Sequence, residues 1–230
     1  MNQKSKLVNF LLLVLVFLAF VIRGQFLLDP DFGWHLKMGE LIMKSGIPKT
    51  DPFSYTMASF PFVDHEWLSN IVIFLFYTKF GMLGLSLLFA FLALLSLGFV
   101  FRNRIFFLWA ASAILSFEGV RPQVQSWLWL AVLARIILDQ TLWVRWRFFL
   151  PVFFLFWANL HGSFAMGIIA LFMVIITKSF RQRKILIPDF LVLGLSFLAT
   201  FINPYGIRLW GEVWMQMSDS SLRWTIQEWL

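Results

Sequence analysis

The stretch KLVNFLLLVLVFLAFVIRGQFLLDPD, residues 6–31, decides the fold, because a long apolar run in it ends beside two aspartates. The run at 7–24 has about the length that an α-helix needs to cross a bilayer, roughly 17–25 residues. No small-residue cleavage site of a signal peptide follows the run. The stretch therefore predicts a retained first membrane span at 7–24 that starts in the cytoplasm.

Composition supports a membrane protein over a soluble one. Of the 230 residues, 60% are hydrophobic and only 13% are charged, more apolar side chain than a soluble domain of this size can bury. The net charge of +7 fits cytoplasmic loops that face anionic lipid, and it does not call for a nucleic-acid partner. The chain has no cysteine, which excludes disulfides and thiolate chemistry.

Further apolar runs predict an all-α, polytopic transmembrane helix bundle. These runs lie at 67–80, 82–101, 105–117, 123–138, 148–160, 163–177 and 186–202. We expect a single transmembrane domain over 1–230, in which an outer loop at 25–80 carries juxtamembrane helices. The region 82–202 would hold about six further spans. The outer segment 203–230 would be truncated, because no closing basic loop follows it.

Basic residues give the expected topology. They are concentrated at Lys4, Lys6, Arg102, Arg104, Arg145, Arg147, Lys178, Arg181, Arg183 and Lys184. All of these face the cytoplasm, as the positive-inside rule predicts, if 67–80 and 82–101 together cross the membrane once. We therefore expect 67–80 to be a juxtamembrane or re-entrant helix on the outer side. Two full crossings are the alternative, and they would move most later basic loops outside.

Acids and histidines gather on the opposite side under this topology. Ten of the 12 acidic residues, all but Asp139 and Asp189, would face outwards, together with His35, His65 and His161. Acidic residues contribute little to membrane orientation, so the insertion rule does not explain this distribution. A functional outer surface would explain why the acids and histidines gather on one side.

The first outer loop contains most of these residues. Apolar residues at 34, 36, 38 and 41–43, with polar residues between them, predict a short interfacial helix, which Gly46 and Pro48 end. A turn-rich segment follows at 49–55. Asp64 then has the position of an N-cap for the next helix.

Asp29 and Asp31 allow two interpretations. Two carboxylates this close can share a proton or a divalent cation, or one can orient the other as a general base. Partial desolvation at a membrane boundary would make them more basic. Alternatively, both cap the helix that starts near Phe32.

Two later motifs also leave alternatives open. In Glu118-Gly119-Val120-Arg121, the acid and the arginine can pair with each other, or Arg121 can bind a phosphate. His161, between two apolar runs, can bind substrate or metal, or it can satisfy a backbone carbonyl. The segment 203–206 favours a structural turn.

Several motifs, in this order, resemble the bacterial GT-C-type membrane glycosyltransferases that use polyprenyl-phosphate-linked sugars. They are DPDFGWHLKMGELIMKSGIPKTDPFSYT at 29–56, DHEWLS at 64–69, RPQ at 121–123, WANLHG at 157–162, INPYG at 202–206 and QEW at 227–229. The resemblance spans most of the chain. Gly33 departs from it, since a second aromatic residue is expected before Trp34.

The resemblance implies a glycosyl transfer on the outer face of the bacterial inner membrane. Asp29 or Asp31 would be the general base that deprotonates an acceptor hydroxyl of a glycan, lipid or protein. Arg121 would stabilise the leaving phosphate, and Lys37 is a weaker candidate. The expected substrate-binding residues are His35, Lys37, Asp64, His65, Glu66, Glu118, Arg121 and His161. The resemblance does not specify a cofactor, and Mg²⁺ or Mn²⁺ at Asp29 and Asp31 is an option.

Two other function classes are compatible with the same sequence. A transporter or flippase of lipid-linked glycans would carry its charges near the middle of the bilayer, between paired repeats. A non-catalytic membrane assembly subunit would tolerate loss of Asp29 and Asp31.

Overall fold

The computed structural model describes residues 3–101 and 103–219, and the regular structure within these ranges is helical. The helices are α1 (Gln3–Phe26), α2 (Phe32–Ser45), α3 (Trp67–Val100), α4 (Arg104–Leu115), α5 (Pro122–Leu138), α6 (Gln140–Trp146), α7 (Leu150–Leu160), α8 (Phe164–Gln182), α9 (Ile187–Ala199) and α10 (Arg208–Ser218), with a 3-10 turn at Arg147–Phe149. The predicted all-α class is confirmed for this part of the chain. Arg102 and the QEW motif lie outside the described residues.

Four helical segments are long and apolar enough to cross a membrane. They are Gln3–Phe26, Trp67–Val100, Gln140–Leu160 and Phe164–Gln182. Three shorter apolar helices are α4, α5 and α9. On α1 most apolar side chains are exposed, as expected for a helix that faces lipid. Helices that could span a membrane are therefore present in the described residues, while the number and direction of crossings stay predictions.

Helix α3 is interrupted at Gly81. The backbone there has φ 64° and ψ −168°, a region that is open essentially only to glycine. The interruption separates 67–80 from 82–100, and this is where the sequence predicts one segment to end and a membrane span to begin. The break allows the two halves to take different directions, as a juxtamembrane helix followed by a span would require.

The chain divides into two compact units, and the first comprises Met1–Met43 and Leu68–Phe148. Its core is formed by apolar side chains from α1 to α5. They are Phe20, Val21, Phe32, Ile73, Leu85, Phe89, Ala90, Ala93, Leu97, Phe107, Ala111, Val120 and Val124. Ser86 on α3 lies close to Gly24 on α1, and such contacts between small residues are usual where membrane helices pack.

The second unit comprises Lys44–Trp67 and Phe149–Leu230. Here α7, α8 and α9 pack against one another. Trp157 is buried, stacks on Phe154 with ring centroids 5.7 Å apart, and meets Phe153 edge-on. Gly167 lies against the Trp157 ring, so that α7 and α8 are in close contact at this point.

Helix α2 packs against the first turns of α3 within the first unit. Phe32, His35, Met38, Gly39 and Ile42 are its buried residues, and their spacing places them on one helical face. A helix is thus present where the sequence predicts one, and it ends before Gly46 as expected, with φ 84° at that glycine. Its position at the membrane interface stays a prediction.

Replacing Gly39 by alanine should destabilise the protein by about 1–3 kcal/mol. A Cβ at this position would lie 2.1 Å from the backbone oxygen of Asn70 and 2.7 Å from the Cβ of Phe74, and backbone cannot move aside cheaply. Gly33 on the same helix is the matched control, because nothing lies within 4 Å of a Cβ there. Gly33→Ala should be neutral or slightly stabilising. Thermal unfolding in detergent measures both, and equal melting temperatures would contradict this packing.

Candidate functional site

The turn between α1 and α2 is built around Asp29. Its Oδ1 accepts a hydrogen bond from the backbone N–H of Asp31 at 2.9 Å, and its carbonyl accepts from the N–H of Phe32 at 3.1 Å. This is the local pattern by which aspartates start helices. Asp29 therefore stabilises the turn that begins α2, in agreement with the capping interpretation of the sequence.

The other carboxylate oxygen of Asp29 pairs with Arg121. Oδ2 accepts a hydrogen bond from Nη2 of Arg121, and the two side chains are only 5% and 13% exposed. Arg121 has extended backbone and immediately precedes α5, which Pro122 starts. Residues 92 positions apart in sequence thus form a buried ion pair directly beyond the first apolar helix. Arg121 does not pair with Glu118, so that alternative from the sequence is wrong.

Asp31 is placed differently from Asp29. It is exposed, and its carbonyl accepts the N–H of His35 at 3.0 Å at the start of α2. Within residues 3–101 and 103–219, no three histidine or acidic side chains are grouped so that they could hold a metal ion. A cation shared by Asp29 and Asp31 would also have to compete with the guanidinium of Arg121 for the Asp29 carboxylate. The geometry thus favours an ion pair at Asp29 over the Mg²⁺ or Mn²⁺ option.

Glu118 lies in the turn between α4 and α5 with its side chain enclosed. It is 1% exposed, and neither carboxylate oxygen has a hydrogen-bond partner among the described residues. Burial raises the pKa of Glu118 to about 8, against the opposing influence of the nearby Arg23 charge. Arg23 itself donates to the carbonyls of Leu27 at 2.9 Å and Ser116 at 3.0 Å. At neutral pH Glu118 is therefore mainly a neutral acid, able to donate a hydrogen bond or a proton.

Two predicted substrate-binding residues of the first unit, His35 and Lys37, contact residues outside the pair of Asp29 and Arg121. His35 is 4% exposed, and its Nδ1 forms a 2.8 Å hydrogen bond with Oδ1 of Asn70. This position favours a role in joining α2 to α3. Lys37 is exposed and pairs with Glu40 at 2.8 Å, a contact worth little at the surface.

The second unit brings together three residues that the sequence marks as candidates. Oε1 of Glu66 lies 3.0 Å from Nε2 of His161 and 3.7 Å from Nε2 of His65. The two imidazole rings meet edge to face with centroids 6.2 Å apart. Asp64 is buried beside them, and its Oδ1 accepts the N–H of Glu66 at 3.0 Å. A buried carboxylate with two imidazoles around it can hold or pass on a proton.

The hydrogen bonds of His161 indicate which of its nitrogens carries the proton. The backbone N–H of Ser163 donates to Nδ1 at 3.0 Å, so Nδ1 is an acceptor. In the neutral ring Nε2 then carries the hydrogen and donates it to Glu66. This tautomer offers no Nε2 lone pair to a metal, and it favours proton chemistry over metal binding.

Polar contacts from α7 and from the turn after α9 hold the loop that carries Glu66. Asn159 accepts a hydrogen bond from Nε1 of Trp67 at 3.0 Å and donates to the carbonyl of Ile202 at 2.9 Å. The hydroxyl of Tyr205 donates to the carbonyl of Pro48 at 3.0 Å, and burial raises the pKa of Tyr205 to about 12. The predicted structural turn at 203–206 is present, with φ 57° at Gly206.

Replacing Glu66 by alanine should destabilise the protein by about 1–3 kcal/mol, because the Nε2–H of His161 would lose its buried acceptor. Glu66→Gln keeps an oxygen at that place, so a smaller loss is expected. Thermal unfolding in detergent compares the two variants. A glutamine variant as unstable as the alanine variant would contradict the hydrogen bond.

Three polar residues with clear structural roles are absent from the sequence-based site: Arg23, Asn70 and Asn159. Each lies in or at the end of an apolar helix, where an unsatisfied polar group is costly. That cost is the signal that could have identified them. Their partners in the fold could not have been identified in the same way.

Comparisons of the chain with models of known protein families, with curated proteins and with solved structures found no match.

Proposed function

We propose that this chain is a membrane glycosyltransferase that moves a sugar from a polyprenyl-phosphate-linked donor to an acceptor hydroxyl. The observation that carries the proposal is the buried pair of Asp29 and Arg121 directly after the first apolar helix. A carboxylate and a guanidinium in contact are the two groups that this transfer requires. Their position at the end of α1 suits a substrate that comes from the bilayer.

The two groups divide the chemistry between them. While Arg121 faces Asp29, the carboxylate is held ionised and is a weak base. The donor phosphate can draw the guanidinium towards itself, since arginine binds phosphate through two parallel hydrogen bonds. Release of Asp29 from this pair increases its basicity when the donor is in place. The ion pair thereby couples donor binding to activation of the base.

The transfer then proceeds as follows. Asp29 takes the proton of the acceptor hydroxyl, and the acceptor oxygen forms a bond to the anomeric carbon of the sugar. The bond between that carbon and the phosphate oxygen breaks, and its electron pair leaves with the polyprenyl phosphate. Arg121 stabilises the negative charge that develops on this leaving group. The products are the glycosylated acceptor, polyprenyl phosphate and a protonated Asp29, which returns its proton to water.

Location and partners follow from the proposal. The protein would lie in the bacterial inner membrane with the site on its outer face, where lipid-linked sugars and glycan, lipid or protein acceptors meet. The expected cytoplasmic N-terminus, near Lys4 and Lys6, agrees with the positive-inside rule.

The test uses the full chain in lipid nanodiscs with a polyprenyl-phosphate-linked sugar and a panel of acceptors, and it measures release of polyprenyl phosphate. Asp29→Asn should lower the rate about a hundredfold or more, since it removes the base. Asp31→Asn is the matched control and should stay close to wild type, because that carboxylate is exposed and outside the pair.

Glycan and lipid analysis of a deletion strain that carries each variant gives the same comparison in cells. Full rescue by Asp29→Asn and by the double variant with Asp31→Asn would remove the proposed base. The protein would then be better described as a non-catalytic assembly subunit.

A further inference from the structure

A cavity of about 240 Å³ lies in the first unit, away from the Asp29 turn. It is formed by the first half of α1, the C-terminal end of α3 and the start of α4. Its lining residues are Asn9, Leu12, Leu13, Gly98, Phe101, Arg104, Phe107 and Leu108. Leu13, Gly98 and Arg104 are exposed, whereas Phe107 is buried, so the cavity runs from the protein surface to an apolar wall.

Positive charge surrounds the opening of this cavity. Nη2 of Arg104 donates to the hydroxyl and to the carbonyl of Ser5, which fixes the guanidinium beside the first turns of α1. Within the described ranges the remaining N–H groups of Arg104 make no other hydrogen bond. Lys6 is exposed and lies one helical turn before Asn9, hence on the same side of α1. Two cations therefore stand at the edge of an apolar cavity.

No carboxylate of the surrounding segments neutralises these cations. Residues 1–28 and 67–117, which include all of α1, α3 and α4, contain no aspartate or glutamate. A ligand that fits must therefore bring its own negative charge, and it must also have an apolar portion to cover the lining leucines and phenylalanines.

We propose that this cavity binds an anionic phospholipid, with its phosphate on Arg104 and Lys6 and part of an acyl chain along Leu12, Phe107 and Leu108. A phosphodiester can accept two parallel hydrogen bonds from the remaining guanidinium N–H groups of Arg104, which is the geometry that arginine favours. The apolar lining suits a hydrocarbon chain and not an inorganic anion. Basic residues at this end of the helices also match the leaflet in which anionic lipids attract lysine and arginine.

The test measures lipid binding to the purified full chain by native mass spectrometry, with phosphatidylglycerol compared against phosphatidylcholine of the same acyl chains. Phosphatidylglycerol should remain bound where phosphatidylcholine dissociates. Arg104→Gln should weaken phosphatidylglycerol binding about fivefold, since one basic residue near anionic lipid contributes about 1 kcal/mol. Lys79→Gln is the charge-matched control, because Lys79 is exposed on α3 and does not line the cavity.

A second variant tests the cavity without changing charge. Gly98→Leu places a side chain where nothing lies within 4 Å of an added Cβ, so it fills the opening without a backbone clash. It should weaken phosphatidylglycerol binding while the melting temperature in detergent stays close to wild type. Equal binding of the two lipids would overturn the proposal. So would equal losses with Arg104→Gln and Lys79→Gln, unchanged binding by Gly98→Leu, or full displacement by inorganic phosphate.

Discussion

Arg121→Gln should destabilise the protein by about 3–5 kcal/mol, a substantial part of the stability of most domains. The guanidinium faces a carboxylate that is only 5% exposed. When the arginine is lost, the Asp29 charge stays in a poorly solvated place without its partner. Chemical or thermal unfolding in detergent measures the loss, with transfer activity measured in parallel.

Two further variants separate the ion pair from a general effect of the substitution. Arg121→Gln combined with Asp29→Asn leaves two neutral amides, which can hydrogen-bond to each other, and should recover most of the lost stability. Lys37→Gln breaks the exposed pair with Glu40 and should cost less than about 1 kcal/mol. A double variant no more stable than Arg121→Gln alone would show that Asp29 and Arg121 are not coupled.

The helices could be predicted from the sequence because their signals are local. Length and hydropathy predict α1, and Gly46 ends α2 where the chain needs a positive φ. The break at Gly81 separates the apolar runs 67–80 and 82–101, which the positions of the basic residues predict to be different elements. The helix and its end depend on neighbours within a few residues, whereas the division near Gly81 is predicted from basic residues along the whole chain.

The partners within the candidate site could not be predicted in the same way. Asp29 and Arg121 are 92 residues apart, and no local pattern favours Asp29 over the nearby Glu118 as the partner of Arg121. His35 is expected on the outer surface because it lies in a polar loop of the sequence. In the structure, packing of α2 on α3 buries it. Side-chain partners and burial depend on how the helices pack against one another, and the hydropathy pattern of a single helix does not determine this packing.

The predicted site residues fall into two groups according to the compact unit to which they belong. Asp29, Glu118 and Arg121 belong to the first unit, whereas Glu66 and His161 belong to the second. The proposed transfer depends on the first group alone. In the second group, the carboxylate of Glu66 and the imidazole of His161 are 3.0 Å apart and share a hydrogen bond.

Glu118 should make the stability of the protein fall as the pH rises from about 5 to 8. Its pKa is about 8 in the folded protein against an ordinary value of 4.5, so the folded state keeps a proton that the unfolded chain has released. Below the ordinary pKa the contribution is complete. It decreases by about 1.4 kcal/mol per pH unit between the two values, for a total of about 4–5 kcal/mol, and is lost above pH 8.

Glu118→Gln isolates this contribution, because glutamine has nearly the same shape and does not ionise. The melting temperature of the variant, measured in detergent from pH 5 to pH 8.5, should depend less on pH than that of wild type, and the difference should increase as the pH rises. Glu40→Gln is the matched control and should leave the pH dependence unchanged, since Glu40 already has Lys37 as its partner near the surface. Parallel curves for wild type and Glu118→Gln would mean that Glu118 is ionised in the folded protein. In that case it could not act as a neutral hydrogen-bond donor to a substrate at pH 7.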